Sequence, residues 1–218
     1  MVFPLGKSAA TADPLLLRWG LKQRDVSARG LDVLRAMEAE RAEMAEKLQI
    51  AETLAVRDSL TAALNRRGFL AELHRTMSEV ERYRTPAAVI YIDLDGFKAL
   101  NDGFGHAAGD AVLKHVGRLL VEHVRESDIV GRLGGDEFGV ILNRATGEEA
   151  RAKGAVLSDV INNSAILHAG VAHRLRASIG IHAIASVEDP EFAIARADEA
   201  MYAEKHARRT QASAFASF

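Results

Sequence analysis

The sequence predicts an α+β protein: a central, mostly antiparallel sheet flanked by helices, preceded by one N-terminal helix. Three observations carry this. Leu21 to Val56 holds no proline and is dominated by Ala, Glu, Arg, Met and Leu, the composition of a helix. From Arg57 onward, apolar stretches of strand length alternate with amphipathic stretches of helix length. The resulting order is helix, strand, helix, hairpin, helix, strand, helix, with no internal repeat, which favours a layered domain over a bundle or sandwich.

The 218 residues, 48% of them hydrophobic, suffice for one full domain with its own core and a modest extension. A net charge of -2 excludes a polybasic nucleic-acid binder, so Lys and Arg must act locally if they meet phosphates. The absence of cysteine excludes disulfides, thiolate metal sites and Cys nucleophiles, and suits a reducing cytoplasm. No stretch approaches the roughly 20 apolar residues of a membrane span, and the N-terminus has no signal-peptide pattern. The expectation is a soluble, cytoplasmic protein.

Residues 1–19 hold two of the four prolines and read as a flexible lead-in. Residues 20–56 form the helical segment, with a heptad through Leu34, Met37, Met44, Leu48, Ala51 and Ala55 that Arg41 interrupts. This pattern fits a dimerising coiled coil or a helix lying on its own domain. Residues 57–210 form the main domain, and 211–218 a disordered tail. Asp58-Ser-Leu-Thr61 offers caps for a helix over Arg66 to Arg84, which Pro86 ends. Ala87 to Leu94 is a strand rich in Val, Ile and Tyr. Asp95 to Gly109, with four glycines besides polar residues, reads as a loop, and Ala111 to Val124 as an amphipathic helix. Asp128 to Leu133 and Phe138 to Leu142 flank Gly134-Gly135 as a hairpin. A helix over Glu148 to Asn162, a half-buried strand over Arg174 to Ala183 and a helix over Glu191 to Arg208 complete a palm-like domain.

Chemistry concentrates at four places. Asp93 and Asp95 close the first strand on one face. Buried carboxylates are costly unless paired or metal-bound, and hard oxygen donors suit magnesium; the pair equally fits a turn cap and a solvated acid. Asp136 and Glu137 follow two glycines, and adjacent like charges repel unless a cation sits between them. In isolation they also fit a tight turn followed by surface acids. Asn101 and Asp110 can accept hydrogen bonds from a base edge, or belong to a loop and a helix start. Lys98, Lys205 and Arg209 are cations able to meet a triphosphate; the last two share a helical face that could equally be solvated.

Over residues 58–210 the sequence resembles the GGDEF family of diguanylate cyclases. The blocks that carry this are Asp58-Ser-Leu-Thr-Ala-Ala-Leu-Asn-Arg-Arg67, Asp93-Leu-Asp-Gly-Phe-Lys98, Asn101-Asp102, Gly105-His106, Gly109-Asp110, Gly134-Gly-Asp-Glu-Phe138, Ala177-Ser-Ile-Gly180 and Ala200-Met-Tyr-Ala-Glu-Lys205, in order. The resemblance implies a palm-like nucleotidyl-cyclase domain that condenses two GTP into cyclic di-GMP and two pyrophosphate as a homodimer. It implies magnesium, or manganese in its place, on Asp93, Asp136 and the Leu94 carbonyl. Glu137 would contact a second metal or assist deprotonation of the attacking 3′-hydroxyl, with Asp136 and Lys98 completing the catalytic set. Asn101 and Asp110 would recognise guanine, and retention of Asp110 points to GTP over ATP. Lys98, Lys205, Arg209 and the amides of Gly96 and Phe97 would hold phosphates, beside His106 in the nucleotide-binding stretch. Arg125-Glu-Ser-Asp128 matches the family's R-x-x-D product-inhibition motif, in which Asp128 would orient Arg125 on cyclic di-GMP; a helix-end Arg with a turn Asp is the plainer reading.

There are departures. Ala207-Arg208-Arg209-Thr210 stands where the family more often shows Gly-Arg-Asn, and Asn143 to Arg174 matches nothing assignable. No sensor domain is readable, so the input, including any activating protein, is open. Three other functions compete: a non-catalytic cyclic di-GMP receptor, a cyclase acting within one nucleotide, and a dimerisation module centred on residues 20–56. The intact acids with Lys98 oppose the first; Asp110, Asn101 and the Arg125–Asp128 motif oppose the second.

Overall fold

The computed structural model describes residues 13–215, without the side chains of residues 23, 49–50, 52–54 and 207–215. The chain divides into two compact units, residues 1–52 and 53–218. No described helix is long and apolar enough to cross a membrane.

In the first unit, part of the expected flexible lead-in is ordered. Helix α1 (Pro14–Arg18) starts on Asp13, whose carboxylate accepts the Leu15 amide at 2.9 Å, with Pro14 preset at the first helical position. Its Leu16 is buried. A 3-10 turn at Gln23–Asp25 leads into α2 (Ala28–Val56), which opens in this unit. Ion pairs from Arg35 to Asp13 at 2.8 Å and from Arg18 to Glu38 tie the two helices. On α2, Met37, Met44 and Leu48 of the heptad are exposed and Leu34 is half-buried.

The second unit holds a five-stranded sheet in the order β1-β3-β4-β2-β7, comprising β1 (Leu64–Asn65), β2 (Ala87–Asp95), β3 (Ile129–Arg132), β4 (Glu137–Asn143) and β7 (Arg176–Ile184). Only the β1–β3 pair is parallel. Central β2 is continuously apolar from Ala87 to Ile92, where both its faces are covered, and turns acidic only at its end. Ile90, Ile92 and Leu94 join the core of α5 (His106–Glu122) and α6 (Gly147–Asn163). Val89 and Tyr91 join that of α3 (Arg66–Tyr83) and α7 (Pro190–Phe215).

Glycines set how closely the second layer approaches. Gly131 and Gly139 pair directly across β3 and β4, and a Cβ on either would lie within 2.6 Å of the Phe69 ring. Phe69 of α3 thus sits on a bare patch of sheet, fully buried; Phe69→Ala would cost about 3–5 kcal/mol. At Gly180 a Cβ would lie 1.9 Å from the Ala197 carbonyl oxygen, so the backbone of α7 rests directly on β7.

Several expectations change. Residues 95–109 are not a loop: α4 (Phe97–Phe104) lies there, and α5 already starts at His106. Gly96 and Gly105, with φ of 79° and 82°, are caps rather than breaks, and Phe97 and Leu100 bury one face. Asn65, not Asp58 or Thr61, caps α3, accepting the Gly68 amide at 2.9 Å. Asp58 instead closes its own turn, accepting the Thr61 amide at 2.8 Å and its hydroxyl at 2.7 Å. The stretch that matched nothing contains a hairpin, β5 (Ile166–His168) and β6 (Val171–His173). Helix α7 runs to Phe215, well into the expected tail. On the outer edge of β7, Asn162 Oδ1 accepts the Ala177 amide at 2.9 Å, and Ser158 Oγ reaches its carbonyl at 3.5 Å.

Candidate active site

The acids meet because of register. Asp93 pairs with Glu137 across β2 and β4, and with Ser178 across β2 and β7. One residue on, the Leu94 amide donates to the Asp136 carbonyl at 3.3 Å, joining the two sequence motifs through backbone. The turn between β3 and β4 is closed by the Leu133 amide on the Glu137 carbonyl at 2.8 Å. Neither Gly134 nor Gly135 has a positive φ, so conformational freedom is not what Gly134 provides. A Cβ there would lie 2.1 Å from Glu137 Oε2, because the carboxylate folds over it.

Lys205 on α7 sets its ammonium 2.6 Å from Asp93 Oδ1 and 2.6 Å from Asp95 Oδ1, while Ser178 Oγ donates to Asp95 Oδ2 at 2.8 Å. The cation expected on phosphate is thus engaged with the acids. Arg209 lies outside the described side chains. Burial opposes the charge on Lys205, but Asp93 and Asp95 win and hold its pKa above the ordinary lysine value. Asp136 is pushed up by burial, then by Asp93 and Glu137. Asp198, at the rim, is raised by partial burial and by Glu137 and Asp93. Tyr91 is pushed far up, by burial first and then by the neighbouring Glu137 carboxylate.

Lys205 offsets part of this charge, and Asp93, Asp95, Asp136 and Glu137 leave the site net negative. Among the described residues no three acids or imidazoles close a metal cage. An open set of Asp93, Asp136, Glu137 and the Leu94 carbonyl fits magnesium, which keeps waters and takes further oxygens from phosphates.

Beside the acids, Gly96 caps α4 at its N-terminus, followed by buried Phe97 and exposed Lys98. Asn101 Oδ1 is buried without a hydrogen-bond partner, and a Cβ on Gly109 would lie 2.0 Å from it. Gly109 therefore makes room for an acceptor that none of the described residues satisfies. His106 and Asp110 are exposed in the first turns of α5.

Arg125 and Asp128 lie at the other end of the sheet. Asp128 Oδ2 accepts the Arg125 backbone amide at 3.0 Å and Oδ1 accepts the Asn143 amide at 3.1 Å. Asp128 thus fixes the turn rather than orienting the Arg125 guanidinium. Arg125, Arg57 and Arg75 line one cavity of about 450 Å³.

Sequence reasoning missed Tyr91, Asp198 and Arg132. Asp198 was legible: it stands seven residues before Lys205, on the same helical face. Arg132 places Nη2 2.8 Å from the Gly135 carbonyl and Nη1 3.3 Å from Asp58 Oδ2, linking the entry turn to the acidic hairpin. No local pattern announces that link.

Residues 55–211 match the family model described as "Diguanylate cyclase, GGDEF domain". The chain is 37% identical over 155 residues to diguanylate cyclase DosC of Escherichia coli, covering 71% of this chain and 34% of DosC. It spans about a third or less of the curated relatives it matches. Among solved structures, the coiled coil and GGDEF domain of DgcB from Caulobacter crescentus, in complex with c-di-GMP, superposes with a TM-score of 0.74 at 26% identity, covering 81% of this chain and 94% of that one. Diguanylate cyclase SiaD in complex with its activator SiaC, from Pseudomonas aeruginosa, gives 0.69 at 28% identity, covering 82% and 69%.

Proposed function

Because the chain belongs to the GGDEF-domain family of diguanylate cyclases, we propose that it condenses two GTP into cyclic di-GMP and two pyrophosphate, acting as a homodimer. The observation that carries this is the convergence of Asp93, Asp136 and Glu137 at one sheet end, near helices where Asn101 offers an unsatisfied buried acceptor. Guanine presents N–H donors on its edge, and Asn101 Oδ1 and the Asp110 carboxylate accept them. Adenine offers a different donor pattern, so GTP is preferred.

Each domain holds one GTP, and two domains face each other. The 3′-oxygen of each nucleotide attacks the α-phosphorus of the other, each bond from the α-phosphorus to the α,β-bridging oxygen breaks, and two pyrophosphates leave. Asp93, Asp136, the Leu94 carbonyl and Glu137 hold magnesium, which neutralises phosphate charge when bound. Glu137 draws the proton from the attacking hydroxyl. The Gly96 and Phe97 amides at the α4 N-terminus, with Lys98, hold phosphate oxygens. Lys205 anchors Asp93 and Asp95 and is within reach of the same phosphates.

The exposed Met37, Met44 and Leu48 of α2 suit pairing of two copies, in the manner of the coiled coil that accompanies the GGDEF domain of DgcB. Arg125, with Arg57 and Arg75 on the same cavity, suits the guanines and phosphates of cyclic di-GMP as an inhibitor. An activating protein, as SiaC is for SiaD, is compatible with this reading. GTP as substrate puts the domain in the cytoplasm.

The test is purified protein with GTP and magnesium, freed of bound cyclic di-GMP, followed by chromatography. Cyclic di-GMP from the wild type and none from Glu137→Gln is expected; no product from the wild type with any nucleotide overturns the proposal. Arg125→Ala should weaken inhibition by added cyclic di-GMP while initial turnover stays within about twofold.

A further inference from the structure

We propose that Tyr91 is a positioning residue whose buried hydroxyl holds the Glu137 carboxylate in its working orientation, an inference that rests on the cyclase reading above. Tyr91 stands in a rung of the sheet between two glycines, Gly139 on β4 and Gly180 on β7. Glycine inside a strand is destabilising, so two flanking one tyrosine need a reason. The space above Gly139 is filled by the Phe69 ring, 2.6 Å from where a Cβ would be, and that above Gly180 by the α7 backbone. Between these walls the Tyr91 ring is only 6% exposed.

The next rung toward the strand end is Glu137–Asp93–Ser178. Asp93 follows Tyr91 by two residues and so shares its face, and Glu137 is the diagonal neighbour, a separation aromatic side chains bridge. Register thus sets the Tyr91 ring and the Glu137 side chain beside each other on one face of the sheet. A buried phenol needs a partner, and this one is a carboxylate, the stronger class of acceptor. Glu137 is then held from two sides: the hydroxyl behind it, and the missing Cβ of Gly134 beneath its Oε2. Asp93, its rung partner, repels it, so without the donor the carboxylate would swing toward solvent. An acid that must take a proton from a substrate hydroxyl needs its lone pair aimed within a narrow cone.

Tyr91→Phe removes the hydroxyl and keeps the ring. We expect kcat to fall roughly 10–100-fold, the loss typical of groups that orient a working ligand, with KM for GTP within about twofold and the melting temperature within about 2 °C. Crystal structures of the wild type and Tyr91→Phe should show the Glu137 carboxylate leaving its place over Gly134. Unchanged kcat overturns the inference, as does a loss in which KM rises and melting falls in step, which would mark a packing role. If the wild type makes no cyclic di-GMP, the cyclase reading fails separately. The paired structures then decide alone, and an unmoved Glu137 overturns the inference.

Discussion

Gly109 and Asn101 act as one unit, because the side chain of one occupies the room the other leaves empty. Gly109→Ala would displace the Asn101 carbonyl oxygen, and we expect KM for GTP to rise about tenfold, the equivalent of 1.4 kcal/mol, with kcat little changed. Steady-state kinetics at saturating magnesium checks this. Asp136 gives a prediction of the opposite kind. Its raised pKa means that the folded state binds the proton more tightly than the unfolded chain, so ionisation above the ordinary value near 3.9 costs stability. Asp136→Asn should therefore raise the melting temperature by about 2 °C at neutral pH without magnesium, and abolish product formation. Magnesium should then raise melting of the wild type more than of the variant; calorimetry with and without the ion measures both. At this scale alternation and residue type left Asp93, Asp136, Glu137 and Asn101 with two readings each, and only the resemblance to the family chose between them. Tyr91 was hidden, because a tyrosine inside an apolar strand looks like core until its two glycine neighbours on other strands are known.

Elements were legible where periodicity was long and uninterrupted, as in α3, α5 and β2. They were not where glycine does a helix-capping job: Gly96 and Gly105 read as breakers, and α4 between them vanished into a loop. The β5–β6 hairpin was lost because three-residue strands carry too little alternation to register. Contacts between elements leave even less trace. The Asp58–Arg132 pair spans 74 positions and ties the entry turn to the acidic hairpin. Burial works against ionisation of Asp58, but Thr61 and Arg132 more than offset it, so its pKa lies below the ordinary value. That stability is present above about pH 3.9 and is lost as pH falls through the depressed folded value. Asp58→Asn should thus cost about 1–3 kcal/mol at pH 7 and flatten the acid-unfolding limb below pH 4, as urea titrations across pH would show. Gly180→Ala should act through α7: with 1.9 Å between a new Cβ and the Ala197 carbonyl, the helix must lift, taking Lys205 from Asp93. A large fall in melting temperature with loss of turnover is expected.

At the scale of the molecule, the proposed reaction would need two chains to meet productively. Met37→Glu with Met44→Glu places charge on an exposed stripe of α2. We expect the variant to sediment as a monomer and its rate per chain to rise with protein concentration, where the wild type is concentration-independent in the same range. A monomeric variant with full, concentration-independent activity would separate α2 from catalysis. Meeting must also be selective, and the outer edge of β7 bears on this. Nine residues long, it offers a row of backbone groups on which any extended chain could grow a further strand. Asn162 and Ser158 of α6 engage that row at Ala177, standing where the sixth strand of a larger sheet would be. The side chain of one asparagine thereby guards an open edge against fibril-like stacking, so that a surface ready to accept any stray strand is closed from within the chain.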